Sequence, residues 1–188
     1  MNDIRVFALA IIALGIASPV SAQRIPTLDV SGGYQWISQG EAWIDNPLPV
    51  GWYVDVAARA APWLGIVWQL SDNHKQVVES PTDTRKTSLS TVMGGVRVTA
   101  SSWRRLTPFT QVMAGAWRVD QHFDYYEDLR ANLMGMALLV GGGVDVRMTN
   151  RLGLRVGADY MNIDLAVADR PNTNSVRIIG GVVARFGN

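Results

Sequence analysis

From Thr27 onward the chain alternates between apolar and polar residues, which is the period-two pattern of β-strands whose two faces meet different surroundings. In the first segment one face carries Leu28, Val30, Gly32, Tyr34 and Trp36, and the other carries Asp29, Ser31, Gly33 and Gln35. Seven further segments repeat the pattern, without a helical stretch between them. Six of them begin near Gly51, Leu64, Ser88, Thr107, Leu152 and Val176, and the sixth strand of the eight shows the pattern most clearly in its second half, at 141–147. The pattern therefore predicts an all-β chain of eight strands.

The connections between these segments alternate in length. Those after strands two, four and six are short, around Pro62, at 101–105 and at 149–151. Those after strands one, three, five and seven run roughly 10 to 16 residues and collect Pro, Asn, Asp and Lys. Tight turns at one end and long loops at the other are typical of an antiparallel up-and-down barrel that crosses a membrane. Tilted strands of about ten residues cover roughly 25 Å, the height of the apolar band on such barrels.

The first residues predict an export signal. An apolar run from Val6 to Ala17 follows Arg5, and Val20 and Ala22 fit the positions of small residues at a cleavage site. The run is shorter than the roughly 20 residues that a spanning helix needs. We therefore expect residues 1–22 to be a cleaved signal peptide and residues 23–188 to be one outer membrane β-barrel domain.

Charged residues of both signs fall on the polar face of the strands. We predict that this face lines the barrel lumen, because a buried charge without a partner is very costly and these charges can pair. The interior of an eight-stranded barrel is just wide enough for its own side chains, so the lumen should hold Arg–Asp pairs and small residues. The predicted ion-pair network consists of Asp29, Asp55, Arg59, Arg97, Asp145, Arg147, Arg155, Asp159, Arg177 and Arg185.

The apolar face is predicted to contact lipid, with Val54, Val56, Val96, Val144, Val146, Leu154, Val156 and Val182 as its representatives. Two observations favour this orientation over a soluble ligand carrier that buries its apolar face. Aromatic residues fall near strand ends, as at a membrane interface: Trp36, Trp52, Trp63, Trp68, Trp103 and Tyr160. Lys and Glu, which a solvated surface uses freely, are expected only in the long loops: Glu41, Lys75, Glu79, Lys86 and Glu127.

Composition narrows the possible partners and chemistry. The absence of cysteine removes disulfide, thiolate and Cys-metal chemistry, and a formal net charge of +1 offers no basis for binding nucleic acid. After the first segment no run approaches 18 consecutive apolar residues, which argues against a helical membrane protein. The remaining possibilities are periplasmic, extracellular or outer membrane proteins.

Several segments together resemble the bacterial outer membrane β-barrel-domain family, which includes the OmpA-like and OmpX-like small barrels. The likeness extends from Leu28 to Phe186 and is carried by segments 51–56, 62–66, 107–112, 141–147 and 176–186. The resemblance implies an eight-stranded barrel that the barrel assembly machinery inserts beside membrane lipid and lipopolysaccharide. It implies no established activity.

The sequence predicts no catalytic, metal or cofactor site. The two histidines, His74 and His122, are expected in different long loops without a recognisable carboxylate partner. An acidic stretch of Asp120, Asp124, Glu127 and Asp128 has no EF-hand spacing and is read as a solvated loop. Gly141, Gly142 and Gly143 precede no helix, so they are interpreted as making room for bulky neighbours or a kink rather than as a phosphate loop.

The leading hypothesis is a non-enzymatic protein with a structural, envelope-stabilising or surface-interaction role, in which the long loops contact an extracellular ligand of unknown identity. A narrow porin-like channel is the second hypothesis. A lipid A-modifying enzyme that uses His122 with loop Ser or Asp is the third, and a soluble periplasmic carrier is the fourth.

Overall fold

The computed structural model describes residues 27–38, 48–80, 83–123, 130–163 and 173–187. The predicted signal peptide at residues 1–22 lies outside these ranges. Within the described ranges, no helix is long and apolar enough to cross a membrane.

The described residues form a closed barrel of eight strands. Each strand runs antiparallel to its neighbours in the sequence, and the eighth pairs with the first. The predicted all-β, up-and-down architecture is thereby confirmed. The strands are β1 (Leu28–Ile37), β2 (Leu48–Ala61), β3 (Leu64–Ser80), β4 (Asp83–Thr99), β5 (Leu106–Phe123), β6 (Arg130–Arg147), β7 (Leu152–Ile163) and β8 (Thr173–Phe186).

The strands are strongly tilted, as the pairing register shows. A path that steps from Leu28 through paired residues of every strand reaches Val176 in β8, whose carbonyl accepts a hydrogen bond from the amide of Ser38. The path passes through Ala58, Ile66, Val96, Val112, Val140 and Tyr160. It therefore returns to the first strand ten residues further along (38 − 28). This stagger requires tilted strands and brings side chains far apart in the sequence to one height in the lumen.

Four strands extend well past the predicted ends. β3 continues to Ser80 and β4 starts at Asp83, so the long loop expected after strand three is wrong. Lys75, Glu79 and Lys86 consequently lie within strands, and so do His74 and His122, instead of in loops. The physical reason is that backbone hydrogen bonds between antiparallel strands do not require an apolar face. The apolar alternation stops at Leu70, whereas the ladder of hydrogen bonds continues. We call the paired segments 74–80, 83–90, 118–123 and 130–136 the β3–β6 extension.

The outer surface carries an apolar belt, defined here as the outward side chains between the short turns and the first charged or amide residues. Toward the long-loop end the belt gives way to a polar border formed by Asp72, Ser90, Arg118, Asn162 and Asn174. Apart from Thr110, the outward side chains on these five strands below the border are apolar or glycine. The belt thus spans about ten residues of tilted strand, close to the thickness expected of a membrane band.

The lumen is divided into two parts. Its long-loop half holds an apolar cluster that includes Leu89, Met113, Trp117, Leu139 and Ile163, all no more than 2 % exposed. Its short-turn half and its centre hold the charged side chains. The predicted filling of Arg–Asp pairs and small residues is therefore wrong for the long-loop half of the lumen. Large apolar side chains fit there because, above the charged layer, they pack against one another out of contact with ions.

Candidate functional site

The structure places most of the predicted network residues inside the barrel. Seven of them are buried: Asp29, Asp55, Arg97, Asp145, Arg155, Asp159 and Arg177. Arg59 and Arg185 are partly exposed at the short-turn end, where their side chains are 32 % and 15 % exposed. The tenth, Arg147, is exposed and does not reach the central network, as described below.

Asp55 lies at the centre of the charged layer. Its carboxylate accepts hydrogen bonds from Arg97 at 2.9 Å and from Arg155 at 3.0 Å. Arg155 also binds Asp145 with two nitrogens, at 2.8 and 2.9 Å, in the bidentate geometry that strengthens Arg–carboxylate pairs. Both guanidinium groups also lie over the ring of Phe109, with 4.9 Å from Cζ of Arg97 and 4.8 Å from Cζ of Arg155 to the ring centroid. The aromatic faces thus offset part of the cost of placing two like charges close together.

Amide side chains connect this centre to a second ion pair nearer the loops. Gln111 accepts from Arg97 at 2.8 Å and donates to Asp159 at 2.9 Å. Asp159 in turn pairs with Arg177 at 2.7 Å. The Arg177 guanidinium also donates to Gln69, which is likewise buried.

Gln35 and Asn73 form the end of the network that lies nearer the long loops. Gln35 accepts a long 3.4 Å hydrogen bond from Arg177 and donates to Asn73. The predicted network lacks the amides, although Gln35 and Gln69 fall on the inward-facing phase of their strands, the phase that carries Asp29 in β1. That shared face was the signal that would have found them.

The hydrogen bonds form one continuous network to which every strand contributes a side chain. Ser31 of β1 accepts from Arg155 at 2.9 Å, and Asp145 of β6 also accepts from Arg185 of β8 at 3.3 Å. Because buried charges are paired and bonded in this arrangement, it is suited to holding the barrel closed rather than to reacting with a substrate.

At the short-turn end the arrangement is looser. Arg59 pairs with Asp29 at 3.0 Å, while Arg147 donates to the hydroxyl of Ser102 at 3.3 Å. The prediction that Arg147 belongs to the lumen ion-pair network is therefore wrong. Arg147 is the last residue of β6, where the wall ends and its long side chain reaches solvent.

The predicted lipid-facing residues lie on the outside of the barrel. Val54, Val96, Leu154, Val156 and Val182 are 41 to 60 % exposed. Val56, Val144 and Val146 are partly covered by neighbouring outward side chains. Of the aromatic residues near strand ends, Trp52, Trp63, Trp103 and Tyr160 are exposed, and Trp36 and Trp68 are partly exposed.

The histidines do not form a catalytic arrangement in the described structure. His74 is exposed and lies opposite Ser88, which in turn lies opposite Asp120. The Ser88 hydroxyl, however, donates to Asp72 at 2.9 Å, and Asp120 pairs with Arg118 at 2.9 Å. The side chain of His122 lies outside the described residues. The hydroxyl and carboxylate in the row are thus engaged in the bonds of a polar surface rather than in activating a nucleophile.

Within the described ranges, no group of three or more His, Asp or Glu residues is placed to hold a metal ion. The acidic stretch is described only at Asp120, since residues 124–129 lie outside the described ranges.

Two glycines of the 141–143 run make room for the lumen network. A Cβ on Gly141 would lie 2.2 Å from Oδ1 of Asp159, and a Cβ on Gly143 would lie 2.9 Å from the Phe109 ring. Both positions also abut the backbone of β7, at Ala158 and Val156. The glycines therefore allow charged and aromatic side chains to approach the barrel wall.

Comparison with known proteins finds structural likeness but no sequence family. No family model matches the chain, and no curated protein matches it. Among solved structures, neisserial surface protein A (NspA) has a TM-score of 0.63 at 14 % identity, covering 85 % of this chain and 96 % of that one. Ail, the attachment invasion locus protein of Yersinia pestis, solved with the heparin analogue sucrose octasulfate, has a TM-score of 0.60 at 13 % identity, with coverages of 86 % and 99 %.

A third match is the outer membrane protein OprG of Pseudomonas aeruginosa, with a TM-score of 0.57 at 9 % identity, covering 89 % of this chain and 99 % of that one. Identities this low establish a shared architecture and nothing finer. The closed antiparallel barrel, together with these neighbours, shows that the chain has the fold of the small eight-stranded outer membrane β-barrels.

Proposed function

We propose that the protein is an integral outer membrane barrel that serves as a rigid, non-catalytic scaffold for surface interaction. The apolar belt is the observation that carries this proposal. Exposed side chains such as Val156, Val182 and Leu154 cover the outside, while the charges point inward. A protein surrounded by water would expose its charges and bury these side chains. A closed barrel in hydrocarbon also satisfies every backbone polar group across its sheet.

In this proposal the short turns, the start of β1 and the end of β8 face the periplasm, and the β3–β6 extension projects from the cell. The polar border of Asp72, Ser90, Arg118, Asn162 and Asn174 then lies at the level of lipopolysaccharide headgroups. An exported precursor with a cleaved signal peptide at residues 1–22, inserted by the barrel assembly machinery, is the route to this location. Membrane lipid and lipopolysaccharide are the partners of the belt and border.

The β3–β6 extension supports a role in surface interaction. It prolongs the wall beyond the belt by paired backbone, and it carries exposed His74, Gln76, Lys86, Asp120 and Met134. Exposed residues on a rigid support are where recognition usually resides. Ail, a protein of the same architecture, was solved in complex with a heparin analogue. This supports the proposal that a barrel of this fold offers a surface on which ligands bind.

Site-directed cysteine labelling tests both the location and the orientation, because the chain contains no cysteine of its own. Gln76→Cys lies on the extension, Asn150→Cys on a short turn, and Val156→Cys in the belt. We expect a membrane-impermeant maleimide to label Gln76→Cys on intact cells, Asn150→Cys only after permeabilisation, and Val156→Cys only after unfolding. Labelling of Val156→Cys in the folded protein without detergent would contradict the membrane location.

Planar-bilayer recording separates the scaffold from the narrow channel. The network that joins Asp145 to Arg177 fills the cross-section of the lumen with bonded side chains, so we expect no sustained conductance steps from the wild type. Conductance steps whose size changes in Asp145→Asn would favour the channel instead. Release of fatty acid from lipopolysaccharide that Ser88→Ala abolishes would favour the lipid-modifying enzyme.

A further inference from the structure

The short-turn end of the lumen opens into a cavity of about 600 Å³. We call it the mouth cavity. Its lining includes the guanidinium-bearing residues Arg59, Arg147 and Arg185 together with the hydroxyl residues Ser102 and Thr107. A volume of this size is typical of sites for small ligands. Three cations with hydroxyl groups among them form the kind of lining that binds a multiply charged anion.

The charges around the mouth cavity do not balance. Among the described residues, the short-turn half of the lumen and its rim hold three carboxylates, those of Asp29, Asp55 and Asp145. They also hold five arginines: Arg59, Arg97, Arg155 and Arg185 inside, and Arg147 at the rim. Two positive charges therefore remain uncompensated by lumen carboxylates. The exposed turns at this end add Arg104, Arg105 and Arg151. An anion in the cavity would be attracted by all of these charges.

Two of the lining arginines retain free capacity to bind a ligand. Asp145 is held by Arg155 in two bonds, so its contact with Arg185 is only a single one of 3.3 Å. Nε of Arg185 is buried and has no hydrogen-bond partner. Within the described residues, the Arg147 guanidinium bonds to a neutral hydroxyl, that of Ser102, at 3.3 Å. A single long bond from Arg185 and a neutral partner for Arg147 leave N–H groups of both guanidinium ions to donate to an anion.

We propose that the mouth cavity binds a phosphate group. The planar forks of arginine match the oxygens of phosphate in pairs. The hydroxyls of Ser102 and Thr107 bond to each other at 3.0 Å, which leaves one O–H to donate to a tetrahedral oxyanion. The phosphate comes either from a soluble phosphate ester or from the headgroup of an anionic phospholipid. The headgroup is a possible source because Trp63 and Trp103, 56 % and 68 % exposed, lie at the same end, where aromatic rings favour the membrane interface.

Calorimetric titration with pyrophosphate tests the proposal on the mature chain refolded in dodecyl maltoside, a detergent without phosphate. We expect saturable binding that Arg147→Gln weakens at least tenfold and Ser102→Ala weakens a few-fold. Arg118→Gln is the matched control, because it removes an arginine from the opposite end of the barrel and should leave the affinity unchanged. Faster migration of unboiled protein on a gel verifies that each variant is folded.

Repeating the titration in phosphatidylcholine vesicles, with and without phosphatidylglycerol, distinguishes the two sources. Surface charge alone weakens pyrophosphate binding equally in the wild type and in Arg147→Gln. An additional loss confined to the wild type identifies competition by a headgroup, and its absence identifies a soluble ester. The proposal is overturned if pyrophosphate binding in detergent is not saturable, if Arg147→Gln binds as tightly as the wild type, or if the Arg118→Gln control loses as much affinity as Arg147→Gln. These readings do not depend on the cellular location, so they are separate from the test of the proposed function.

Discussion

The guanidinium of Arg155 in β7 reaches across the lumen to the carboxylate of Asp55 in β2, with 3.0 Å between Nη1 and Oδ2. The same side chain holds Asp145 of β6 by two hydrogen bonds. One residue thereby links three strands, β2, β6 and β7. Of these, β6 and β7 are neighbours in the sheet, whereas β2 is a neighbour of neither. This relationship makes the lumen a structural element of the barrel, because the wall cannot deform without breaking bonds between buried charges.

Arg155→Met should destabilise the barrel by about 3 kcal/mol, because it leaves the buried carboxylates of Asp55 and Asp145 short of a partner. The measurement is urea-induced unfolding of the refolded protein in lipid vesicles. Arg104→Met is the control, since Arg104 is exposed on a turn and stacks on the exposed Trp103. Equal effects of the two substitutions would contradict a stabilising role of the network.

Val156→Arg should cost about 2–4 kcal/mol of stability in vesicles, because it places a charge in the middle of the apolar belt. Val156 is 60 % exposed, so the substitution leaves the interior of the barrel unchanged. Gln76→Arg on the same side of the wall, but beyond the polar border, is the matched control and should have little effect. If Val156→Arg left the stability in vesicles unchanged, the belt would not lie in the hydrocarbon of the membrane.

Gly141→Ala should destabilise the barrel by about 1–3 kcal/mol by overpacking, because the new Cβ would lie 2.2 Å from Oδ1 of Asp159 and 2.5 Å from the carbonyl of Ala158. Gly180→Ala provides the comparison, since a Cβ there meets nothing within 4 Å. The ratio of folded to unfolded bands across a urea series measures both. If Gly180→Ala proves the more damaging, the packing explanation fails.

Trp117→Ala should lower the free energy of unfolding by about 3–5 kcal/mol, because it leaves a cavity in the apolar cluster of the long-loop half of the lumen. Trp117 is 2 % exposed and its indole donates to the carbonyl of Met136 at 3.1 Å. The exposed Trp103 serves as control, and Trp103→Ala should unfold at nearly the wild-type urea concentration. Little change in Trp117→Ala would mean that the ionic layer alone holds the barrel.

The sequence alone indicated the fold, the number of strands and the polar face that carries charges such as Asp55 and Arg155. The reason is physical: in a strand the side-chain period is two, so one charged position such as Asp55 or Arg155 assigns the facing of the whole segment. The short turns around Pro62 and at 149–151 then fixed the up-and-down order. These features depend on neighbours along the chain, which a single sequence displays.

The sequence did not reveal where the strands end above the belt. β3 continues past Leu70 and β4 starts before Ser88 because their backbones still pair there, although the apolar alternation of the sequence has ended. It also did not reveal the apolar cluster in the long-loop half of the lumen. Consecutive residues such as Val112 and Met113 point to opposite faces, and both are apolar. Period-two analysis cannot separate an inward Met from an outward Val in such a run.

The partners within the lumen were decided only by the tertiary structure. A stagger of ten residues around the closed sheet sets the heights at which side chains meet, and it brings Arg155 to Asp55 and leaves Arg147 at the rim beside Ser102. Height and curvature belong to the assembled barrel as a whole, since each strand contributes only its share of the tilt. The sequence therefore determined which face of the predicted strands carries the charges, and the closed barrel determined which of those charges pair in the lumen.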